Sequence, residues 1–585
     1  MRTKLMRFIF VILIGIAILS AVHAVQAGSA NVPFLDQFWF VAPTAISVAD
    51  GVISPLALLT WNSEHRSVFT MFTNIVSVIL TGWNTNFEVW VNLGLAVVVF
   101  ALIVLIVARF HYASEALWLG VPIAFLIFGA RQGDNWMRGY SHFLYGAIFM
   151  LLALWFLMRL KVGWRAWWAV MLCTFAASWS FAGGLTLWGF LLLALWLREY
   201  RRWQYYAAWL AAAAICISLY FIGYQSTGLE RDSAQLTVLD YIVNALRYLG
   251  APLAPHTLEH LDLALVVGGV GVLLVGWHLI YLWERVPKYL LAVPIVLTLY
   301  SVANALLSVY GRSWFVINMP ISVTWPRYAT QANFLWVALL LLGGLSFQQA
   351  SRTQLHAISS LILLVAAPMY LLANHHAIQW ITTYSFKPSR ACFLNYLQTF
   401  DTPCFQRLIN DRKYLDTIVE LAERRLSTFG DWQVDFPPAA QPALAHVQPI
   451  LGTVGDVPRW VDDSPEATAL FQHPPSTAEQ HLQLPDALQV FFEAEIYVDL
   501  TNIRQHPDVP QTGADFRLGI REGRHVRTLY EGGFDVHTET APIPIRVDLS
   551  AWRGKAVVLV YETLVRQGNP NYAWAMWRNP RLVTQ

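Results

Sequence analysis

Charge is scarce in this 585-residue chain. Asp, Glu, Lys and Arg make up 13% of it and apolar residues 56%, which excludes an ordinary soluble globular protein and calls for a lipid solvent over much of the length. A net charge of +2 lacks the basic excess that draws proteins to nucleic acid, so no such partner is expected. A nucleotide fingerprint is missing too: Gly268, Gly269 and Gly271 follow no strand and lack the third glycine, and read instead as small residues for close helix packing. His65 beside the single acid Glu64 falls short of a metal site's ligand count, so no metal ligands are assigned; a divalent cofactor stays open, with no motif that requires one. Cys173 and Cys216 sit inside apolar runs and read as packing residues, and His375 and His376 as interfacial ones.

Long apolar runs are what the chain has in abundance, with 26 tryptophans to sit at their interfacial ends. Residues Met1 to Ala27 carry Arg2, Lys4 and Arg7, then an apolar run from Phe8 to Val22, then small residues. That pattern is shared by a cleaved signal peptide and an uncleaved first span; the span is preferred because many more follow. Further candidate spans lie near 88–108, 116–130, 141–159, 164–178, 184–197, 204–223, 260–283, 288–309, 331–347 and 355–373, about eleven in all.

Charge placement sets the sidedness. If Val68 to Leu80 lies at the interface or re-enters, Arg109, the Arg159/Lys161/Arg165 cluster, Arg198/Arg201/Arg202, Arg285/Lys288 and Arg352 all fall on the cytoplasmic side. The outer face then receives Ser29–Arg66, Arg131–Tyr140, Ser178–Gly184, Tyr224–Glu259, Gly311–Thr330 and everything after about Asn374.

In that exported tail, Cys392 and Cys404 bracket eleven residues in a disulfide-permissive compartment, where pairing is expected and two free buried thiols are the other reading. Phe405–Phe429 has helical spacing, and five prolines between Pro437 and Pro458 mark a linker. Short alternating runs follow at Leu488–Tyr497, Phe516–Ile520, Ile543–Leu549 and Ala556–Thr563, the pattern of an antiparallel β-sandwich. The run Val547-Asp548-Leu549-Ser550-Ala551-Trp552-Arg553-Gly554-Lys555 and the later Ala573-Trp574-Ala575-Met576-Trp577-Arg578-Asn579-Pro580 resemble the closing strands of jelly-roll carbohydrate-binding modules. Trp552, Tyr572, Trp574 and Trp577 are the candidates for stacking on sugar, with core packing the competing role for each.

The outer loops carry Pro33-Phe34-Leu35-Asp36-Gln37-Phe38-Trp39 and Trp61-Asn62-Ser63-Glu64-His65-Arg66, which gather Asp36, Glu64 and His65 at the membrane surface as catalytic candidates, ordinary solvated charges being the alternative. With Gln132-Gly133-Asp134-Asn135, Ser180-Phe181-Ala182-Gly183-Gly184-Leu185, Arg327-Tyr328 and the Cys392/Cys404 pair, in that order, residues 1–430 resemble the GT-C class of integral-membrane glycosyltransferases. The resemblance is closer still to uncharacterised bacterial multi-pass proteins with an Asn-x-Glu-His-Arg first loop.

The resemblance implies a transferase that moves a sugar from a polyprenyl-phosphate donor to a glycan or protein acceptor, on the non-cytoplasmic face of a bacterial inner membrane. Asp36 matches the first-loop acid of the class, which serves as general base or holds a metal; the frequent second acid is replaced by Gln37. A leaving lipid phosphate needs cationic donors, for which Arg66, Arg131, Arg138, Arg312 and Arg327, with Tyr328, are candidates, while Asp134 and Asn135 mark the second outer turn. For any one arginine, pairing with Asp134, Glu64 or Asp232, or with lipid headgroups, is the competing role.

The expected architecture is therefore an α-helical polytopic membrane bundle, GT-C-like, over 1–374, an exported helical segment and Pro-rich linker over 375–458, and a jelly-roll-like β-sandwich over 459–585. A transporter or flippase of lipid-linked glycan would need polar groups along a route between helices, whereas the span interiors are poor in charge. A non-catalytic glycan-binding anchor would need only one helix.

Overall fold

The computed structural model describes residues 2–34, 36–110, 113–137, 141–224, 232–349, 368–379, 381, 417–418, 420–421, 424–429, 447–449, 459–464, 467–472, 474, 476–499, 513–522, 525–566 and 575–584. The chain divides into two compact units, Met1–Arg390 with Leu426–Gly430, and Ala391–Arg425 with Asp431–Gln585. Arg138, Cys392, Cys404, Tyr572 and Trp574 lie outside the described residues.

The first unit is helical: α1 Arg2–Gly28, α2 Ala42–Ala49, α3 Val68–Thr81, α4 Thr85–Phe110, α5 Ala113–Ile127, α6 Gly133–Met137, α7 Ser141–Arg159, α8 Trp164–Ser178, α9 Leu187–Leu197, α10 Trp203–Phe221, α11 Val238–Gly250, α12 Leu261–Leu282, α13 Lys288–Gly311, α14 Ser313–Asn318 and α15 Ala329–Gln349. Among the described residues, seven stretches are long and apolar enough to cross a membrane: Lys4–Gly28, Thr85–Phe110, Ser141–Arg159, Trp203–Phe221, Leu258–Leu282, Lys288–Gly311 and Pro320–Gln348. The expected eleven is not reached. Helices α5, α8 and α9 are apolar but have 15, 15 and 11 residues, under the roughly 20 that a bilayer core requires, and most of 355–373 is undescribed. Hydropathy records that a segment is apolar; the turns decide how long it runs straight.

The outward faces carry the signature of a lipid solvent. On α12, Val266, Val270, Leu273, Trp277 and Ile280 form an exposed apolar stripe at helical spacing, which water would penalise and acyl chains would not. The opposite face of α12 holds Ala264, Gly268 and Gly271 against its neighbours. A Cβ on Gly268 would strike the Leu246 carbonyl of α11, and one on Gly250 the Ala264 carbonyl, so these two helices meet backbone to backbone as the small residues lead one to expect. Helix α3 has 14 residues, about 21 Å of rise, and buries Met71, Asn74, Ile75 and Val78 while exposing Phe72, Ile79 and Leu80.

The second unit contains two five-stranded sheets, β10-β7-β12-β5-β4 and β3-β6-β11-β8-β9. Their strands are β3 Val447–Pro449, β4 Arg459–Ser464, β5 Ala467–Gln472, β6 Ser476–Gln483, β7 Val490–Val498, β8 Gly513–Glu522, β9 His525–Asp535, β10 Ile543–Asp548, β11 Ala556–Val565 and β12 Ala575–Thr584; the numbering leaves β1 and β2 to a hairpin in the first unit, Trp61–Asn62 and His65–Arg66. All pairings are antiparallel. Side chains alternate in and out along β7, and its inward set of Phe492, Ile496 and Val498 meets Phe516, Leu518, Leu559 and Tyr561 of the other sheet in one core, which makes the unit a sandwich.

Trp577 is a centre of that core rather than a sugar platform. It is fully buried, its indole N–H donates to Gln472 Oε1 at 2.8 Å, and its ring meets Phe516 and Tyr561 edge-on at 5.2 Å each. The alternation that made it a surface candidate has two phases, and β12 takes the inward one at this position. Trp552, in a short turn after β10, is half-buried against the same core with the Arg527 guanidinium 5.3 Å from its ring. Trp577→Ala is expected to cost the sandwich about 3–5 kcal/mol, read by scanning calorimetry as a lowered unfolding transition, and Trp552→Ala distinctly less. Equal losses would mean that Trp577 does not anchor the core.

Candidate functional site

The first-loop motif Trp61-Asn62-Ser63-Glu64-His65-Arg66 folds as a tight hairpin, β1 paired with β2 through Asn62↔His65. Ser63 takes the left-handed backbone that a two-residue hairpin turn demands, at φ 52°. The turn places Glu64 at the tip, and the Tyr220 hydroxyl of α10 grips the hairpin, donating to the Glu64 carbonyl at 2.8 Å and accepting from the Arg66 N–H at 3.3 Å.

Arg66 does not face a ligand. Its Nε donates to the Tyr220 carbonyl at 2.7 Å, Nη1 to the Leu59 carbonyl at 2.8 Å and Nη2 to the Ile222 carbonyl, with the guanidinium over the Trp61 ring at 4.3 Å. Two of these carbonyls belong to the end of α10, where a helix leaves acceptors unsatisfied and its dipole is negative. Arg66 is a helix cap, and the expected phosphate contact gives way to that.

Glu64 and His65 point the other way, into a charged cluster. Arg312, just past α13, brings its Nη2 to 2.9 Å from Glu64 Oε1. His65 is buried among Phe181, Phe143 and His142, with ring centroids at 4.7, 6.4 and 5.1 Å. Its Nδ1 accepts the Ala182 N–H at 3.4 Å, so the ring's proton sits on Nε2, which faces Glu64 Oε1 at 3.5 Å. Asp36 and Arg327 are both close enough to act on His65 electrostatically, and Asp36, Arg327 and Tyr328 act likewise on Arg312. Arg327 itself lies 4.1 Å from the Trp325 ring, while Tyr328 is buried and stacks on Tyr248 at 5.2 Å.

The fold thus brings Asp36, Glu64 and His65 of the first outer loop together with Arg312, Arg327 and Tyr328 of the stretch 311–330, far later in sequence. Burial is the largest influence on Glu64 and pushes its carboxyl up, but the Arg312 guanidinium and His65 outweigh it and hold it at about 2. Burial is also the largest influence on His65 and drives it down; Glu64 and Asp36 oppose, Arg312 and Arg327 assist, and the ring settles at about 4. At neutral pH the site therefore holds an ionised Glu64, a charged Arg312 and a neutral imidazole.

Two further residues belong to this region and escaped the reading of the loops. His142, second residue of α7, lies beside His65 with its ring tilted by 37°; a histidine opening an apolar run was its only signal. Glu88 on α4 is an acid in an apolar span, which is itself a functional flag. Both its oxygens are held, Oε1 by the Trp83 indole and Oε2 by the Gln37 amide, each at 2.8 Å. Gln37 also accepts the Phe34 N–H at 2.9 Å, so the residue that follows Asp36 is a buried strut.

The second outer turn goes elsewhere. Asn135 is fully buried and donates to Thr330 Oγ1 at 2.7 Å, joining α6 to α15. Arg131 and Asp134 line a separate cavity with His256, Pro326 and His376. Among the described residues no three His, Cys, Asp or Glu side chains converge as a metal site.

No family model matches the chain, and no curated protein matches it. Two solved structures share a slight likeness. An oligosaccharyltransferase from Archaeoglobus fulgidus is 12% identical at a TM-score of 0.35, covering 67% of this chain and 55% of its own. The arabinosyltransferase EmbB from Mycobacterium smegmatis is 12% identical at 0.32, covering 98% of this chain and 64% of its own. The chain thus spans less than two thirds of the length of either.

The electrostatics make a pH prediction. The unfolded chain binds a proton on His65 near 6.5 and the folded chain only near 4, so stability is full above 6.5 and falls as pH drops through that window. Glu64 adds a second loss from 4.5 down to about 2. Arg312→Gln removes a group that lowers both, so the decline in melting temperature between pH 6.5 and 4 becomes shallower than in wild type. An NMR titration placing wild-type His65 at its ordinary value would contradict the buried neutral ring.

Proposed function

We propose that the chain is a membrane glycosyltransferase of GT-C type, which moves a sugar from a polyprenyl-phosphate donor to an acceptor hydroxyl on the non-cytoplasmic face of a bacterial inner membrane. The observation that carries this reading is the assembly around His65 of a first-loop carboxylate and two loop arginines at the end of an apolar helical bundle. Glycosyl transfer from a lipid phosphate needs these two elements: a base for the incoming hydroxyl and cations for the departing phosphate.

Asp36 is the base. Glu64 is unsuited to that work, because a carboxylate held at about 2 by an arginine is a poor proton acceptor at neutral pH. It fixes the Arg312 guanidinium, whose position matters for phosphate, and so acts by positioning. Arg312 and Arg327 stabilise the phosphate as charge develops on it. His65, neutral and buried, supports the Glu64 carboxylate through Nε2 and adds no positive charge that would compete with Asp36. The sandwich, with its jelly-roll-like closing strands, holds acceptor glycan, with the half-buried Trp552 presenting the accessible part of its ring.

The test is transfer of radiolabelled sugar from polyprenyl-phosphate donors in membranes at matched expression. Asp36→Asn is expected to lower transfer about a hundred- to ten-thousand-fold. Equal transfer would remove Asp36 from the mechanism, and no transfer by the wild type from any donor would overturn the reading.

A further inference from the structure

Glu88 takes no part in the chemistry of Asp36, Arg312 and Arg327, yet it is a carboxyl group in the first turn of α4, only 2% exposed. An acid buried at the start of an apolar span is costly unless its oxygens are bonded. Both are: the Trp83 indole N–H donates to Oε1 and the Gln37 amide to Oε2, each at 2.8 Å. Trp83 is itself fully buried and reaches Glu88 from a left-handed backbone, φ 60°, which a bulky residue adopts only where its surroundings impose it.

The Gln37 side chain carries this hold onward to the first loop. Its Oε1 accepts the Phe34 N–H at 2.9 Å, and its backbone N–H donates to the Phe34 carbonyl at 3.0 Å, so Phe34 and Gln37 are bonded both ways across Asp36. One helical turn earlier on α4 the same loop is fastened again, where Asn31 Oδ1 accepts the Thr85 N–H at 2.9 Å and the Thr85 hydroxyl at 3.3 Å. Thr85 and Glu88 are three positions apart and lie on one side of the helix, so the loop is laid along that side with an anchor at each end. Of the two anchors, Gln37 adjoins Asp36. It also opens a buried π-helical turn, Gln37–Val41, so the backbone after Asp36 is packed as well as bonded.

We propose that Glu88 is the positioning residue of Asp36: through the Gln37 amide it fixes the backbone from which the Asp36 carboxylate meets the acceptor hydroxyl. The inference rests on the reading of Asp36 as the base. Glu88, enclosed by Trp83 and Gln37, touches no substrate. Its effect is on geometry, where a misplacement of about 1 Å costs roughly a hundredfold in rate.

Glu88→Gln keeps the shape of the side chain but turns an amide N–H toward one of the two donors. Combining it with Gln37→Glu restores every partner: the amide at 88 accepts from Trp83 and donates to the carboxylate at 37, whose other oxygen accepts the Phe34 N–H. Sugar transfer would be measured beside hydrogen–deuterium exchange of residues 32–41 in the full chain, with melting temperatures checked. Glu88→Gln is expected to lower kcat about a hundredfold with the donor KM unchanged, and to speed exchange in 32–41 about tenfold. The double variant is expected to recover most of both, which neither single change does, and Glu88→Gln is expected to lower no further the transfer that remains in Asp36→Asn. Unchanged exchange in Glu88→Gln, a loss that falls on KM alone, or a double variant no better than the single ones would each overturn it. If Asp36→Asn is inactive and Glu88→Gln transfers as wild type does, this inference fails and the transferase reading stands. If the wild type transfers nothing, the reading of the base fails, and exchange still decides whether Glu88 holds the loop.

Discussion

A helix that ends within a protein leaves its last carbonyls without partners, and at the end of α10 the missing donors come from a residue more than 150 positions earlier. The Arg66 guanidinium closes that end, and the Tyr220 hydroxyl ties the hairpin backbone to the same turn. A two-residue hairpin has little rigidity of its own. Its fixed position is a consequence of this clamp, and Glu64 is carried with it at the tip of the turn. Arg66 inward to the helix end and Glu64–His65 outward to Arg312 are one arrangement.

The cluster then organises itself by charge. Glu64 and Arg312 neutralise one another at 2.9 Å, and in partly buried surroundings such a pair persists only if its geometry is held. The Ala182 N–H holds the imidazole from behind, and Phe181 and Phe143 enclose it, so His65 can stay uncharged beside an anion. Had His65 been protonated, Glu64 would have had two cations to satisfy and less hold on Arg312. The neutral ring is thus part of what orients the arginine.

Much of this was legible in the amino-acid order, and the failures have physical causes. The apolar runs announced the bundle, and Asp36, Glu64, His65, Arg312 and Arg327 were singled out as residues of the loops. Arg66 was read as a ligand contact because its motif shows a guanidinium but not the helix end that consumes it. Trp577 went the same way: an aromatic has the same letter whether it welds a core or faces solvent. Glu88 and Gln37 were missed as a pair because a separation of 51 positions hides a 2.8 Å contact. Seven of the expected spans are long enough among the described residues; α5, α8 and α9 match apolar runs but stop at 15, 15 and 11 residues, and most of 355–373 is undescribed.

The same loop, 320–328, borders both of the polar regions. Thr324 gives its carbonyl to Arg131 and its hydroxyl contact to His256, while three residues on Arg327 enters the field of His65 and Arg312. Two 3₁₀ turns, Pro320–Thr324 and Pro326–Tyr328, each opened by a proline, make this stretch stiff in φ at both starts. Tyr328 anchors its far end by stacking on Tyr248 of α11. Arg131 thus holds one edge of the loop and Arg327 is carried on the other.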